Sequence, residues 1–232
     1  SRSHGEAVKS VAWLNERYHI PFLPVESAEA FLSKKKMKAV YRKLEIETPD
    51  QFSLSEGRKA KLVYPFIIKP VEGHAKEGIR LISNESELKS WLTIHSSSIE
   101  MIGERYIEGE EVVALGQVHA GRFHLAILSD KIRTAPPYFV DLRHLAPSKY
   151  AHRWSEIEAI GQKLAEHFSM RSSPLVMEFI FDAQECLHLI EAAPEFGGEF
   201  IADYLLPACT GYSIFEQAIL SLTRRKFSPP AR

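Results

Sequence analysis

Apolar residues at helical spacing (Ala7, Val11, Leu14 and Tyr18) predict a first helix. Two prolines in IPFLPVES (20–27) break that pattern. Met37, Val40, Tyr41 and Leu44 mark a second amphipathic helix that ends before Pro49. YPFIIKP (64–70) and IRLI (79–82) read as strands on either side of the loop VEGHAKEG. Asn84 with Glu87 has the spacing of a capping box and opens a helix through Leu92. From 100 to 130, EMIGERYI, EEVVALGQVHA and RFHLAILSD alternate like strands and are separated by Glu-Gly and Ala-Gly turn signals, a β-meander. Residues 131–153 are rich in Pro, Arg and His and read as a long loop. Ser155 with Glu158 caps a helix whose apolar face is Ile157, Ile160, Leu164 and Phe168. PLVMEFIFD and LHLIEAA are two strands around a short turn. Ser213 with Glu216 caps a last helix whose face is Ile214, Ala218, Ile219 and Leu222. Helices mixed with hairpins predict an α+β fold, not a regularly alternating one.

Composition narrows the classes. The 232 residues are 45% hydrophobic and 25% charged, which excludes disordered and low-complexity chains. A chain of this length buries roughly 72% of its unfolded surface. No apolar run reaches the ~18 residues of a membrane span, and SRSHGEAVKS lacks the apolar stretch of a signal peptide. Cys186 and Cys209 form no disulfide framework, so a cytoplasmic protein is expected. A net charge of −1 argues against a nucleic-acid binder. That average hides a segregation: residues 34–43 hold six Lys or Arg and no acid, whereas 172–223 hold eight Asp or Glu and no Lys or Arg. Such sorting suits anions at one place and cations at another.

The candidate chemistry starts in the acidic block. Glu178 interrupts the apolar run LVMEFIF and Glu191 closes LHLI. Their midpoint falls between Gln184 and Glu185, where the turn belongs, so a symmetric hairpin makes them direct cross-strand neighbours. Like charges so placed repel unless a divalent cation sits between them, and an oxygen-only set suits Mg²⁺ or Mn²⁺. The alternative is that one or both face solvent on an edge strand. Lys69 ends an apolar strand before a glycine-containing loop and can reach phosphates, or can be a solvated strand end. The loop is no Walker sequence. Glu104 and Glu111 in ERYIEGEE can accept hydrogen bonds from an amine or from ribose hydroxyls, or lie on a hairpin surface. The block 34–43 is by default a solvated helix face. The ten histidines show no zinc spacing.

In this order, the lysine helix, the strand-end lysine with its loop, the ExxxxGxE segment and the hairpin glutamates resemble the ATP-grasp superfamily over residues 20–224. PYFVDLRHLAPS is similar to a loop of its amino-acid-ligase and carbamoyl-phosphate-synthase-like branch. The resemblance implies two α+β subdomains clasping ATP. Residues 1–26 would be the tail of a preceding α/β domain, 27–110 the small subdomain and 111–232 the large one. It implies that Lys34, which opens a helix ending before Pro49, and Lys69 hold phosphates. Glu104 would face the adenine amine, the backbone of Arg105 and Ile107 would read the ring, and Glu111 would bind ribose. Glu178 and Glu191 would hold Mg²⁺. The implied reaction activates a carboxylate as its acyl phosphate, which an amine or related nucleophile then attacks.

The family often has Asn two residues after the last glutamate and Arg four residues after it. Here these are Ala193 and Glu195. Arg133, Arg143 and His144 are the candidate replacements for the missing arginine. The implied partners are small-molecule carboxylates and amines, with no nucleic acid and no membrane. A homo-oligomer and additional flanking domains both remain open. An ATP-dependent ligase is the first reading, and a degenerate, non-catalytic ATP-binding module is the second.

Overall fold

A computed structural model describes residues 5–54, 62–72, 78–94, 100–136, 138–223 and 226–231. Among them the strands form two antiparallel sheets. The four-stranded sheet, in the order β1-β4-β2-β3, uses β1 Gln51–Ser53, β2 Phe66–Pro70, β3 Arg80–Ile82 and β4 Met101–Arg105. The five-stranded sheet, in the order β7-β6-β5-β8-β9, uses β5 Gly109–His119, β6 Arg122–Arg133, β7 Asp141–Leu145, β8 Ser172–Asp182 and β9 Leu187–Ala193. The helices are α1 Ala7–Arg17, α2 Val25–Leu32, α3 Lys34–Lys43, α4 Glu85–Ile94, α5 Trp154–His167, α6 Leu206–Thr210 and α7 Ile214–Leu222.

Alternation along the five-stranded sheet decides what each face does. Val112, Ala114, Leu128, Met177, Phe179 and Leu189 point into a core shared with Val8 and Ala12 of α1, Phe31 of α2, Met37 and Tyr41 of α3, and Ile157 and Leu164 of α5. The opposite face is divided along its length. At one end Val113, Leu115, Ile127 and Val176 pack beneath Phe196, Ile201, Leu206 and Ile214. Toward the other end the same face carries Glu111, Lys131, Glu178 and Glu191, as the pairings Glu111↔Lys131, Val113↔Glu178 and Glu178↔Glu191 require. The small sheet keeps its own core of Phe66, Ile68 and Ile82, covered by Leu88 and Trp91 of α4.

Several local expectations hold. Asn84 Oδ1 accepts from the Glu87 N–H at 3.0 Å while Glu87 Oε2 accepts from Ser83 N–H at 2.9 Å, a reciprocal cap. Ser213 caps α7 through the Glu216 N–H at 3.3 Å. Others need correction. Residues 131–153 are not one loop. β6 continues to Arg133, β7 pairs with it, and a 3-10 turn spans Ala151–Arg153. The prolines between 134 and 138 concealed an edge strand whose charged side chains obscure its alternation. Ser155 does not cap α5, which begins at Trp154, and Glu158 instead accepts from the Leu125 N–H at 3.3 Å. Pro24 does not only break the chain but also stands at the N-cap of α2, where a missing N–H costs nothing. The loop VEGHAKEG lies in part, at 73–77, outside the described residues.

Gly109 opens β5 beside Asp182 of β8, where there is no room for a side chain. A Cβ there would stand 2.1 Å from the Phe181 carbonyl oxygen and 2.7 Å from Ile180 Cγ2. Backbone cannot yield as a side-chain tip can, so Gly109→Ala is expected to destabilise the fold by about 1–3 kcal/mol. Thermal denaturation checks this, and an unchanged melting temperature would show that the β5–β8 pair tolerates a wider separation.

Candidate functional site

The charged end of the large sheet faces the small sheet across a cleft. It encloses about 710 Å³ of non-atom space, open solvent at its mouth included. Its lining includes Lys34, Lys69, Glu104, Arg105, Ile107, Glu111, Arg133, Glu178 and Glu191. Nine of the eleven residues singled out in the sequence therefore meet in one place. Arg143 and His144 do not. They line a neighbouring concavity with Asp141, Glu199, Phe200 and Tyr204.

The lysines come from two elements, α3 and β2. Lys34 is the first residue of α3, whose N-cap Ser33 accepts from the Lys36 N–H. The Lys34 N–H donates to Val71 O at 3.0 Å, tying the start of that helix to the end of β2. Burial pushes the Lys34 ammonium below its usual range. Lys69, on β2, donates to Glu104 Oε1 at 2.7 Å. Lys38 corrects the solvated-face reading of α3: it is 1% exposed, one turn after Lys34, and its Nζ lies 3.1 Å from Glu104 Oε2. It also donates to Thr48 Oγ1 at 2.5 Å. Burial draws the Lys38 pKa down to about 8 against the opposing pull of Glu104. Burial pushes the Glu104 carboxyl up, but the Lys69 and Lys38 ammonium groups outweigh it and leave the carboxyl below its ordinary range. The Glu104 carboxylate thus turns toward two lysines.

Glu178 and Glu191 are direct partners across the β8–β9 hairpin. A one-residue bulge makes this so. The register steps from Phe179↔Leu189 to Glu178↔Glu191, leaving Ile190 as the extra residue. Without it Glu191 would follow Leu187 and Leu189 into the core. With it, Ile190 and Glu191 both line the cleft. The bulge is anchored from outside the hairpin: Leu189 N–H donates to Glu47 O at 2.8 Å, and Leu189 O accepts from Thr48 Oγ1 at 2.7 Å. Burial pushes the Glu191 carboxyl up, Lys34 draws it back in part, and Glu178 pushes it further up.

Lys131 escaped the sequence reading. Its buried ammonium lies 3.2 Å from Glu178 Oε1, 3.4 Å from Asp141 Oδ2 and 3.7 Å from Glu199 Oε1. Burial lowers its pKa, but the surrounding carboxylates more than reverse this, so it stays charged. Counting back from the Ala120-Gly121 turn would have placed Asp130 opposite Glu111; a bulge at Ala126 supplies the missing step to Lys131. Part of the carboxylate repulsion is therefore answered by a fixed cation. His144 Nε2 pairs with Glu199 Oε2, and its Nδ1 lies 3.0 Å from Ser129 Oγ. Glu111 Oε1 meets Arg133 Nη1 at 2.5 Å.

Among the described residues no cluster of three or more His, Cys, Asp or Glu is placed to hold a metal ion. The donor set still fits one hard cation. Mg²⁺ characteristically takes one or two carboxylates and completes its shell with phosphate oxygens and water, and the Glu178–Glu191 pair is such a set. No helix among the described residues is long and apolar enough to cross a membrane.

Comparison with known proteins agrees with this architecture. The family model described as an ATP-grasp domain matches residues 62–203. A D-alanine–D-alanine ligase of Bacillus anthracis is 31% identical over 115 residues, 47% of this chain and 36% of that protein. One from Anaplasma marginale is 36% identical over 94 residues, covering 38% and 28% respectively. Among solved structures, an L-amino acid ligase from Bacillus licheniformis superposes with a TM-score of 0.79 at 19% identity, over 96% of this chain and 57% of its own. N5-carboxyaminoimidazole ribonucleotide synthetase from Thermus thermophilus gives 0.78 at 19% identity, over 99% and 62%. The matches span about a third of the two curated relatives named here and about three fifths of the two solved chains. With a family model matching more than half of its length and the same fold in the solved structures, the chain belongs to the ATP-grasp family.

Proposed function

We propose that this chain binds ATP with Mg²⁺ in the cleft. We further propose that it forms the nucleotide-binding part of a ligase that activates a carboxylate for attack by an amine. The observation that carries the reading is the convergence of two lysines, the 104–107 segment and a cross-strand carboxylate pair in one cleft between two sheets. In this reading Lys34 and Lys69 hold the phosphates, and Lys69 is oriented by Glu104. The backbone of Arg105 and Ile107, with Glu104, reads adenine, and Glu111 meets the ribose. Glu178 and Glu191 would hold Mg²⁺, which when bound supplies positive charge among the phosphate oxygens. The two subdomains would divide near residue 110, each sheet forming one jaw.

The chemistry needs little beyond position and charge. A carboxylate oxygen attacks the terminal phosphorus, a P–O bond forms, the bond to the bridging oxygen breaks, and ADP leaves. An amine nitrogen then attacks the acyl carbon. Phosphate departs with the C–O electron pair, and the nitrogen gives up a proton. Fixed ammonium groups beside the transferring phosphoryl stabilise its charge without reorganising. Arg143 and His144, in the concavity joined to the cleft by Lys131 and Glu199, are assigned to the carboxylate or amine substrate. The relatives' names point to amino acids as the first substrates to try.

Phosphate release from ATP and Mg²⁺ across a panel of amino acids and other carboxylates, with an amine present, tests this reading. Release that depends on one acid–amine pair is expected. Nucleotide binding without release across the panel would leave the non-catalytic module instead.

A further inference from the structure

We propose that Arg133 is a positioning residue for Glu111, and that through it the cleft distinguishes a ribonucleotide from its deoxy analogues. The inference rests on the reading that Glu111 meets the ribose. Arg133, a candidate replacement for the family's missing arginine, pairs with Glu111. Its Nη1 lies 2.5 Å from Glu111 Oε1, with the side chains 17% and 12% exposed. A register shift between Ile132 and Arg133, where β6 pairs with β7, is the kind of irregularity that re-aims a side chain.

The pair is braced from the loop side. The guanidinium carbon stands 4.9 Å from the centre of the Phe139 ring. Phe139 is buried and takes a left-handed backbone at φ 50°. The turn that carries it is closed by Thr134 N–H to Val140 O at 2.8 Å and Val140 N–H to Thr134 Oγ1 at 2.9 Å. Phe139 in turn faces Tyr106 at 6.4 Å between ring centres. Tyr106, Glu111, Arg133 and Phe139 all line the cleft. The 104–107 segment and the loop after β6 are thus tied together at the end where Glu111 lies.

The guanidinium meets Glu111 through Nη1 while its planar head lies over the Phe139 ring, which holds the donor in place as a flexible ammonium would not be held. A carboxylate has about four acceptor sites, so the Arg133 contact orients Glu111 without exhausting it. Sugar hydroxyls would then donate to an acceptor already held in place.

Isothermal titration of the wild-type chain and Arg133→Met with ATP, 2′-deoxy-ATP and 3′-deoxy-ATP, each with Mg²⁺, tests the role. Wild type is expected to favour ATP over at least one analogue by about tenfold, the worth of one hydrogen bond to a charged group. In Arg133→Met that preference falls to about threefold or less, because the carboxylate is no longer oriented. Arg133→Lys, which keeps charge and stem but not the planar head that lies over Phe139, is expected to lose most of the preference too. It serves as the readout if Met at this position fails to fold. Equal preference in wild type and both variants, or no preference in wild type that binds ATP, overturns the positioning role and leaves the nucleotide site standing. Absence of ATP binding to folded wild type overturns the functional reading beneath it.

Discussion

Glu104→Gln is expected to lower the melting temperature by about 6–20 °C, from a loss of about 3–5 kcal/mol at about 2–4 °C for each. Gln is nearly the same size, so packing changes little and the effect is one of charge. Glu104 is the shared counter-ion of two buried ammonium groups, at 2.7 Å from Lys69 and 3.1 Å from Lys38. Without it two like charges face each other across the base of the cleft. Burial already holds Lys38 at about 8, so this lysine can shed its proton more cheaply than an exposed one, which limits the loss. The coupling has its own signature: Lys38→Met with Glu104→Gln should be more stable than Glu104→Gln alone, because one orphaned charge is gone. Thermal unfolding of wild type and the two variants checks both points. A fall of under about 2 °C for Glu104→Gln would mean that the lysines find other partners.

Glu191→Gln is expected to cut turnover by at least about 100-fold, since losing even the outer partners of metal ligands costs about 10–100-fold. It should also remove the Mg²⁺ dependence of ATP binding. Apo stability should move the other way. Burial and the facing Glu178 both push the Glu191 carboxyl up, so a neutral amide relieves repulsion at that cross-strand pair. A variant that is as stable as wild type or more so, yet indifferent to Mg²⁺, separates a cation-holding role from a structural one. Titration with ATP in Mg²⁺ and in chelator reads this directly. Unchanged metal dependence would sink the assignment.

Legibility in the sequence tracked how local each cause was. The strands with strong alternation, the caps at Asn84 and Ser213, and the pairing of Glu178 with Glu191 could all be read from spacing. The pairing was reached by assuming a symmetric hairpin. The real turn is centred on Gln184, closed by the Asp182 N–H to Cys186 O bond, and the Ile190 bulge restores the register. That bulge is set by Glu47 and Thr48, far away in sequence, so no local pattern announces it. Lys38 and Lys131 were missed for a related reason. A lysine in a basic run or at a strand end normally faces water, and only tertiary partners 66 and 47 residues away make burial tolerable. Arg133 was noticed as a replacement for the missing arginine, but its pairing with Glu111 follows from the register of β5, β6 and β7, which no local pattern gives. β7 was lost inside a proline-rich stretch because its side chains Asp141, Arg143 and His144 give it the composition of a loop.

Melting of the wild-type chain with and without ATP and Mg²⁺ tests nucleotide binding in the cleft most directly. At ATP about 100-fold above its dissociation constant, mass action adds about 2.7 kcal/mol. That should raise the melting temperature by about 5–11 °C, with a smaller rise when Mg²⁺ is chelated. A melting temperature unmoved by millimolar ATP and Mg²⁺ would contradict a nucleotide site between the two sheets.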